Sequence, residues 1–192
     1  MTLNAPGQPT EKDAAEIMLG LFGVPSASIR RFPTGIGHWV YEARTAGGEV
    51  RVVKLGLASQ RGDFIGAVHW ATTLRPLGVP LPALIAHGEH RGLPYLILER
   101  LPGEDLECVY SRLSSSERKT IAKCVFEVQQ AVATIPAQGG YGFARMPGEQ
   151  LRSSWREVVE SSIARSRSLT LTPSSGISCL RAMLLMNPSR KR

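Results

Sequence analysis

The sequence predicts an α+β protein: a five-stranded antiparallel sheet with one helix, followed by helices of a second, incomplete part. Three observations lead there. The apolar period changes from helical to strand-like near residue 28 and back near residue 62. A Gly-Gly pair, Gly47 and Gly48, separates two β-rich runs. Beyond residue 101 every periodic stretch is helical.

Residues 10–22, "TEKDAAEIMLGLF", carry Ala14, Ile17, Met18 and Leu21 on one face, with Thr10 and Asp13 at capping-box spacing. Gly23 and Pro25 stop that helix. "SIRRF", "HWVYEART" and "EVRVVKL" are three strands, with turns at 34–37 and at 46–48. "GDFIGAVHWATTLRPLG" at 62–78 is helical through Ile65, Val68, Trp70 and Leu74, and Pro76 and Gly78 end it. His69 and Trp70 read as packing residues there. Two further strands follow, "ALIAHGEH" at 83–90 and the nearly all-apolar "LPYLILERL" at 93–101. "PGEDL" reads as a turn in which Asp105 is a solvated carboxylate. Ser114 and Glu117 introduce a helix over 116–135, and a glycine-rich connection anchored by Tyr141 and Phe143 leads to another at 149–166.

At 192 residues, 43% apolar and 20% charged, the composition is that of a globular protein with a real core. No run approaches the roughly 18 apolar residues of a membrane span, and the first residues lack a basic-then-apolar leader. Cys108, Cys124 and Cys179 have no metal-ligand spacing and read as small core or half-buried residues in a reducing compartment. The cytoplasm is therefore expected, with no membrane partner. The net charge of +7 partly reflects the end of the chain, where no acid follows Glu160. Elsewhere basic residues are interspersed with acids, which argues against a dedicated nucleic-acid surface.

The order of elements gives the loop "FPTGIGHW" a meaning. In Gly35-Ile36-Gly37, between two strands, the two glycines lack the Cβ that would keep backbone N–H groups away from phosphate oxygens. Lys54 ends the next strand in "VVKL", a cation suited to the phosphates of a nucleotide. The ordered set "PTGIGHWVYEA", "VRVVKLG", "LRPLGVPLP", "ALIAHG" and "PYLILERLPGEDL" resembles the aminoglycoside phosphotransferase family of kinase-like small-molecule phosphotransferases, over residues 28–166. The resemblance implies a protein-kinase-like fold and an N-lobe that binds ATP, with Mg²⁺ in a complete member. It implies transfer of the γ-phosphate to a hydroxyl of a small substrate. Carried across, Thr34, Gly35, Ile36, Gly37 and Lys54 hold the phosphates, while Glu99 and Leu101 form the hinge that binds the base.

The sequence also departs from that family. Val40 stands where a third glycine would be in a protein kinase. The helix at 63–77 has no glutamate to orient Lys54; Ala67 stands at that place, and Asp63 is the candidate partner. Its position after Gly62 also reads as a helix N-cap. His38 and Trp39 read as strand and core residues beside the loop, and Arg100 with Glu99 as a surface pair. The family's His-Gly-Asp loop and metal-binding aspartate have no counterpart, because no Asp follows Asp105 and no His follows His90. The expected organisation is a lead-in helix at 1–27, an N-lobe at 28–101, the first helices of an incomplete C-lobe at 102–168, and a basic, poorly ordered tail at 169–192. A truncated or frame-shifted phosphotransferase, inactive as written, is the leading expectation. A non-catalytic nucleotide-binding or protein-interaction module is the alternative, and a basic tail on an anionic surface a third.

Overall fold

The computed structural model describes residues 7–23, 25–33, 37–136 and 139–169. Thr34, Gly35 and Ile36 lie outside the described residues, as does nearly all of the expected tail, residues 170–192.

Helix α1 (Glu11–Phe22) starts at the expected capping box: Asp13 N–H donates to Thr10 Oγ1 at 3.2 Å, and Thr10 N–H donates to Asp13 Oδ2 at 2.8 Å. It stops at Gly23, whose φ of 67° is one that a residue with a Cβ resists. Strands β1 (Ser26–Arg31), β2 (Trp39–Thr45), β3 (Val50–Leu55), β4 (Leu84–His90) and β5 (Leu93–Glu99) form one sheet in the order β1-β2-β3-β5-β4. All of its pairs are antiparallel.

Strand alternation assigns the two faces. Tyr41 pairs with Val53 and Val53 with Ile97, so all three point to one side. There Ala14, Ile17 and Met18 of α1 close a core with Tyr41, Ala43, Val53, Leu55 and Ile97. Tyr41 donates its hydroxyl to Pro9 O at 3.1 Å, which ties the lead-in to the sheet. Val40, Lys54 and Leu96 pair in turn, as do Glu42, Val52 and Leu98, and point to the opposite side.

Helix α2 (Arg61–Leu74) lies on that opposite side, where its Phe64 ring sits under Lys54 Nζ. A 3-10 turn, Ala58–Gln60, feeds straight into α2, so Gln60 occupies the cap. Asp63 stands in the first turn instead, which corrects the N-cap expectation. Phe64 is the buried apolar residue of α2, whereas Ile65 is 52% exposed. The other buried position is Gly66, which meets the backbone of Arg145. The helix ends in a further 3-10 turn, Arg75–Leu77, and at Gly78.

Beyond the sheet, a short helix α3 (Leu106–Val109) occupies part of the expected turn. Asp105 is its cap, accepting from Glu107 N–H at 3.0 Å. Helix α4 (Ser115–Ala133) begins at the expected capping box of Ser114 and Glu117, yet none of its residues is buried. Cys108 and Cys124 are accordingly exposed, not core, because α3 and α4 present no face to the sheet core; Cys179 lies outside the described residues.

The chain divides into two compact units: residues 1–138 with 144–149, and residues 139–143 with 150–192. In the second, Tyr141 and Arg152 exchange both backbone hydrogen bonds at 2.9 Å. This pairing holds 150–152 extended, so helix α5 (Trp155–Leu169) starts later than the spacing predicts. Tyr141 also meets the Trp155 ring at 6.0 Å, whereas Phe143 is 93% exposed and anchors nothing. Among the described residues no helix is long and apolar enough to cross a membrane.

Candidate functional site

The sheet face that carries Lys54 is only partly covered by α2. Next to the covered part, Phe32, Val40, Val52, Pro82, Leu98 and residues 99–101 line an open pocket of about 280 Å³. Its walls follow from strand parity: Val40, Val52 and Leu98 share a face because their registers are in phase. Lys54 lies two residues beyond Val52 on that face, about 7 Å along the strand at the usual rise.

One rim of the pocket is backbone. Gly56 N–H donates to Pro94 O at 3.0 Å, which makes 54–96 and 52–98 the hydrogen-bonded pairs of the β3–β5 ladder. Glu99 therefore turns its peptide groups away from β3. Its N–H donates to Ala83 O at 2.9 Å. Ala83 N–H donates not to the Glu99 carbonyl but to its carboxylate Oε2, at 3.1 Å. The carbonyl is thereby left at the rim, and among the described residues the Leu101 N–H has no partner. Sequence reasoning named both residues.

Arg100, between them, does not pair with Glu99. Its Nε donates to Glu42 Oε2 at 3.1 Å, its guanidinium lies 5.5 Å from the Phe32 ring centre, and it donates to the Leu101 carbonyl. The correction follows from the faces: Glu42 lies on the Lys54 side of the sheet with Val52 and takes Arg100, while the Glu99 carboxylate accepts from Ala83 N–H. Arg30 approaches Glu42 at 3.7 Å, so this half-buried carboxylate is balanced from two sides.

The other end of the face holds cations. Lys54 Nζ lies 5.6 Å from the Phe64 ring centre, and among the described residues no carboxylate is within ion-pair distance. Burial pushes its pKa below the usual lysine value, opposed by the negative charge of Asp63. Asp63 itself is paired elsewhere, its Oδ1 at 2.6 Å from Arg145 Nε. His38 packs edge-on against Phe64 at 5.3 Å, and its Nε2 is buried without a partner. Burial, and then the Lys54 charge, hold its pKa below 6.5, with Asp63 opposing.

Of the glycine loop, Gly37 is described. Its carbonyl accepts from Gln60 Nε2 at 2.7 Å. The structure thus brings Lys54, Asp63 and Gly37 to one end of the face and Glu99 and Leu101 to the other. Thr34, Gly35 and Ile36 lie outside the described residues. Gln60, Phe64 and Arg145 carry no sequence motif, and Phe32 and Val52, though inside quoted motifs, were given no role. The one available signal was parity, since Val52 must share the face of Lys54 at i+2.

A five-stranded antiparallel sheet in the order β1-β2-β3-β5-β4, with α2 laid on the Lys54 side, is a kinase-like arrangement. The chain belongs to the phosphotransferase enzyme family, whose model matches residues 28–171. Among solved structures, a GDP-bound point mutant of aminoglycoside 2′-phosphotransferase-IIIa gives a TM-score of 0.57 at 15% identity, over 91% of this chain and 56% of that one. The GDP complex of the wild-type enzyme gives 0.55 at 15%, over 67% and 43%. A GDP and kanamycin complex of APH(2")-IIIa gives 0.51 at 16%, over 64% and 42%. At such identities the likeness shows the kinase-like fold alone. The chain spans 42% to 56% of the length of these enzymes. No curated protein sequence matches it.

Proposed function

We propose that residues 28–101 form the nucleotide-holding lobe of a small-molecule phosphotransferase. The observation that carries this is the free Leu101 N–H and Glu99 carbonyl at the rim of an apolar pocket, with Lys54 on the same face. A purine fits between Val40, Val52 and Leu98. Its ring nitrogen accepts from Leu101, and its exocyclic amine donates to Glu99. Thr34, Gly35, Ile36 and Gly37 are the residues proposed to hold the phosphates. Lys54, a desolvated ammonium with no carboxylate partner among the described residues, regains favourable interactions when a phosphate arrives. ATP is the proposed ligand, and GTP the control, since the similar solved enzymes carry GDP.

Divalent-metal chemistry fits the described residues less well. The carboxylate that influences both Lys54 and His38 is Asp63, already bound by Arg145, whereas phosphoryl transfer uses Asp and Asn ligands together with a further Asp that orients the hydroxyl. No Asp follows Asp105 in the 192 residues. The proposed role of residues 28–101 is to hold nucleotide for transfer to a small hydroxylated acceptor. Exposed, unpaired Cys108 and Cys124 suit a reducing compartment, so the cytoplasm is the proposed location.

Isothermal titration with ATP, ADP and GTP tests this. Saturable binding that Lys54→Met weakens is expected, with no hydrolysis above background. Heatless titrations up to millimolar nucleotide would refute the proposal. Mg²⁺-dependent hydrolysis lost in Lys54→Ala would instead establish turnover.

One observation favours a protein-interaction role: α5 exposes Trp155, Val159 and Ile163 at a four-residue spacing, hence along one face. Absence of nucleotide binding, together with self-association in light scattering that Val159→Glu abolishes, would support that role.

A further inference from the structure

One arginine far along the chain lies against α2 and takes the carboxylate nearest to Lys54. Gly62 and Gly66 stand four residues apart, hence on one face of α2, and Arg145 covers both. A Cβ at Gly66 would lie 2.5 Å from Arg145 O, and one at Gly62 3.6 Å from Arg145 Cδ. The backbone around Arg145 is closed on itself. Glu149 N–H donates to Met146 O at 3.3 Å across Pro147 and Gly148, whose φ of 85° suits a type II turn. The Glu149 carboxylate in turn accepts from Arg145 N–H at 2.9 Å. From this seat the guanidinium reaches back along the helix, with Nε 2.6 Å from Asp63 Oδ1.

Successive helical residues turn by about 100°, so Asp63 stands between the Gly62–Gly66 face and Phe64. Phe64 is the ring that lies under Lys54. One carboxylate therefore has a cation on either side. Its negative charge is felt by Lys54 and by His38, yet its ion pair is with Arg145. We propose that Arg145 is a positioning residue acting through Asp63: it holds that carboxylate on the glycine face of α2 and so keeps it from pairing with Lys54. A carboxylate shared with Lys54 would occupy the ammonium that a phosphate needs. It would also set an unbalanced negative charge beside that phosphate. With Arg145 seated, Asp63 is balanced, and Lys54 has no ion-pair partner among the described residues.

The importance for phosphate rests on the nucleotide proposal; the pairing itself does not, and it is tested without ligand. The Lys54 ammonium is titrated by NMR of its Nζ and Cε signals in the full chain. Arg145→Gln should move that titration upward, because Asp63 is released to Lys54. Deleting a cation raises it to some extent by itself, so the substitution is repeated together with Asp63→Asn. The rise is expected to be clearly smaller there. An equal rise in both backgrounds, or none with Asp63 present, overturns the proposal. Gly66→Ala removes no charge, but its Cβ collides with the Arg145 carbonyl and displaces the arginine. Lys54 should again titrate higher, and an unmoved titration in that variant counts against the proposal.

The second measurement compares ATP with adenosine by isothermal titration. Asp63 and Arg145 are 39% and 62% exposed, so the pair has the modest strength of a surface ion pair. Arg145→Gln should accordingly weaken ATP by about two- to fivefold and leave adenosine unchanged. Equal losses for both ligands, or none for ATP, overturn the role in phosphate binding. If the wild-type chain binds neither ligand, the nucleotide proposal fails, and the ligand-free titration alone decides whether Arg145 keeps Asp63 from Lys54.

Discussion

Gly56→Ala tests the packing that places Lys54. Gly56 is buried, and its φ lies outside the left-handed range, so alanine is conformationally allowed. The new Cβ would lie 2.4 Å and 2.9 Å from Phe64 Cε2 and Cζ, well inside contact distance. The ring must shift, and it is wedged between His38 and Lys54. Overpacking of this kind costs about 1–3 kcal/mol. Reduced freedom of the unfolded chain returns about 0.4–1 kcal/mol. A net loss of about 1–2 kcal/mol corresponds to roughly 3–6 °C in Tm for a chain of this size. Gly20→Ala is the matched control: Gly20 is exposed on α1, with nothing within 4 Å of its Cβ position. That change should stabilise by about 0.5–1 kcal/mol. Differential scanning calorimetry of both variants reads the opposite signs. In the double variant Gly56→Ala with Phe64→Leu, part of the loss should return as a coupling of at least about 0.5 kcal/mol. If Gly56→Ala rises in Tm alongside Gly20→Ala, the Phe64 contact and the argument for Lys54 placement are wrong.

Three further outcomes follow from the site. Lys54→Met should weaken ATP by about 10- to 100-fold, from lost charge-assisted hydrogen bonds, while Tm holds or rises because a desolvated, unpaired charge is gone; calorimetry of both quantities checks it. Leu101→Pro removes the rim N–H and should weaken ATP and adenosine alike by about tenfold. His38 has a folded pKa held below its unfolded value of 6.5, so the folded state takes up a proton less readily than the unfolded chain. Its contribution is present above that value and is lost as pH falls through the folded one. Melting curves between about pH 7.5 and 5 should therefore be flatter for His38→Gln than for wild type, and identical slopes would contradict it.

Some local features were legible. The caps at Thr10 and Ser114, the turn at Gly47 and Gly48, and the five strands involve residues only a few positions apart, so spacing along the chain is the physical quantity that decides them. Glu99 and Leu101 were named through the resemblance, and the structure finds their backbone groups at the rim. Asp63 was read as a cap because a Gly-Asp pair opening a helical pattern resembles one. The preceding turn extends the helix by only a residue or two, yet that moves the carboxylate off the cap. The cysteines were read as buried on residue type alone, which says nothing about whether their helices meet a core.

The sequence by itself determined the order of elements, which rests on periodicity and capping that are local along the chain, and the family, which rests on the resemblance of its ordered motifs. Only the tertiary structure decided which charges meet. Arg145 takes Asp63, Arg100 takes Glu42, and Gln60 takes the Gly37 carbonyl across separations of 82, 58 and 23 residues. Coulomb attraction and hydrogen bonding fall off within a few ångströms, and no periodicity encodes which distant residues come that close. Lys54 was legible as a cation on a strand. That it stands desolvated, with no carboxylate at ion-pair distance among the described residues, emerges only once α2 is laid over the sheet.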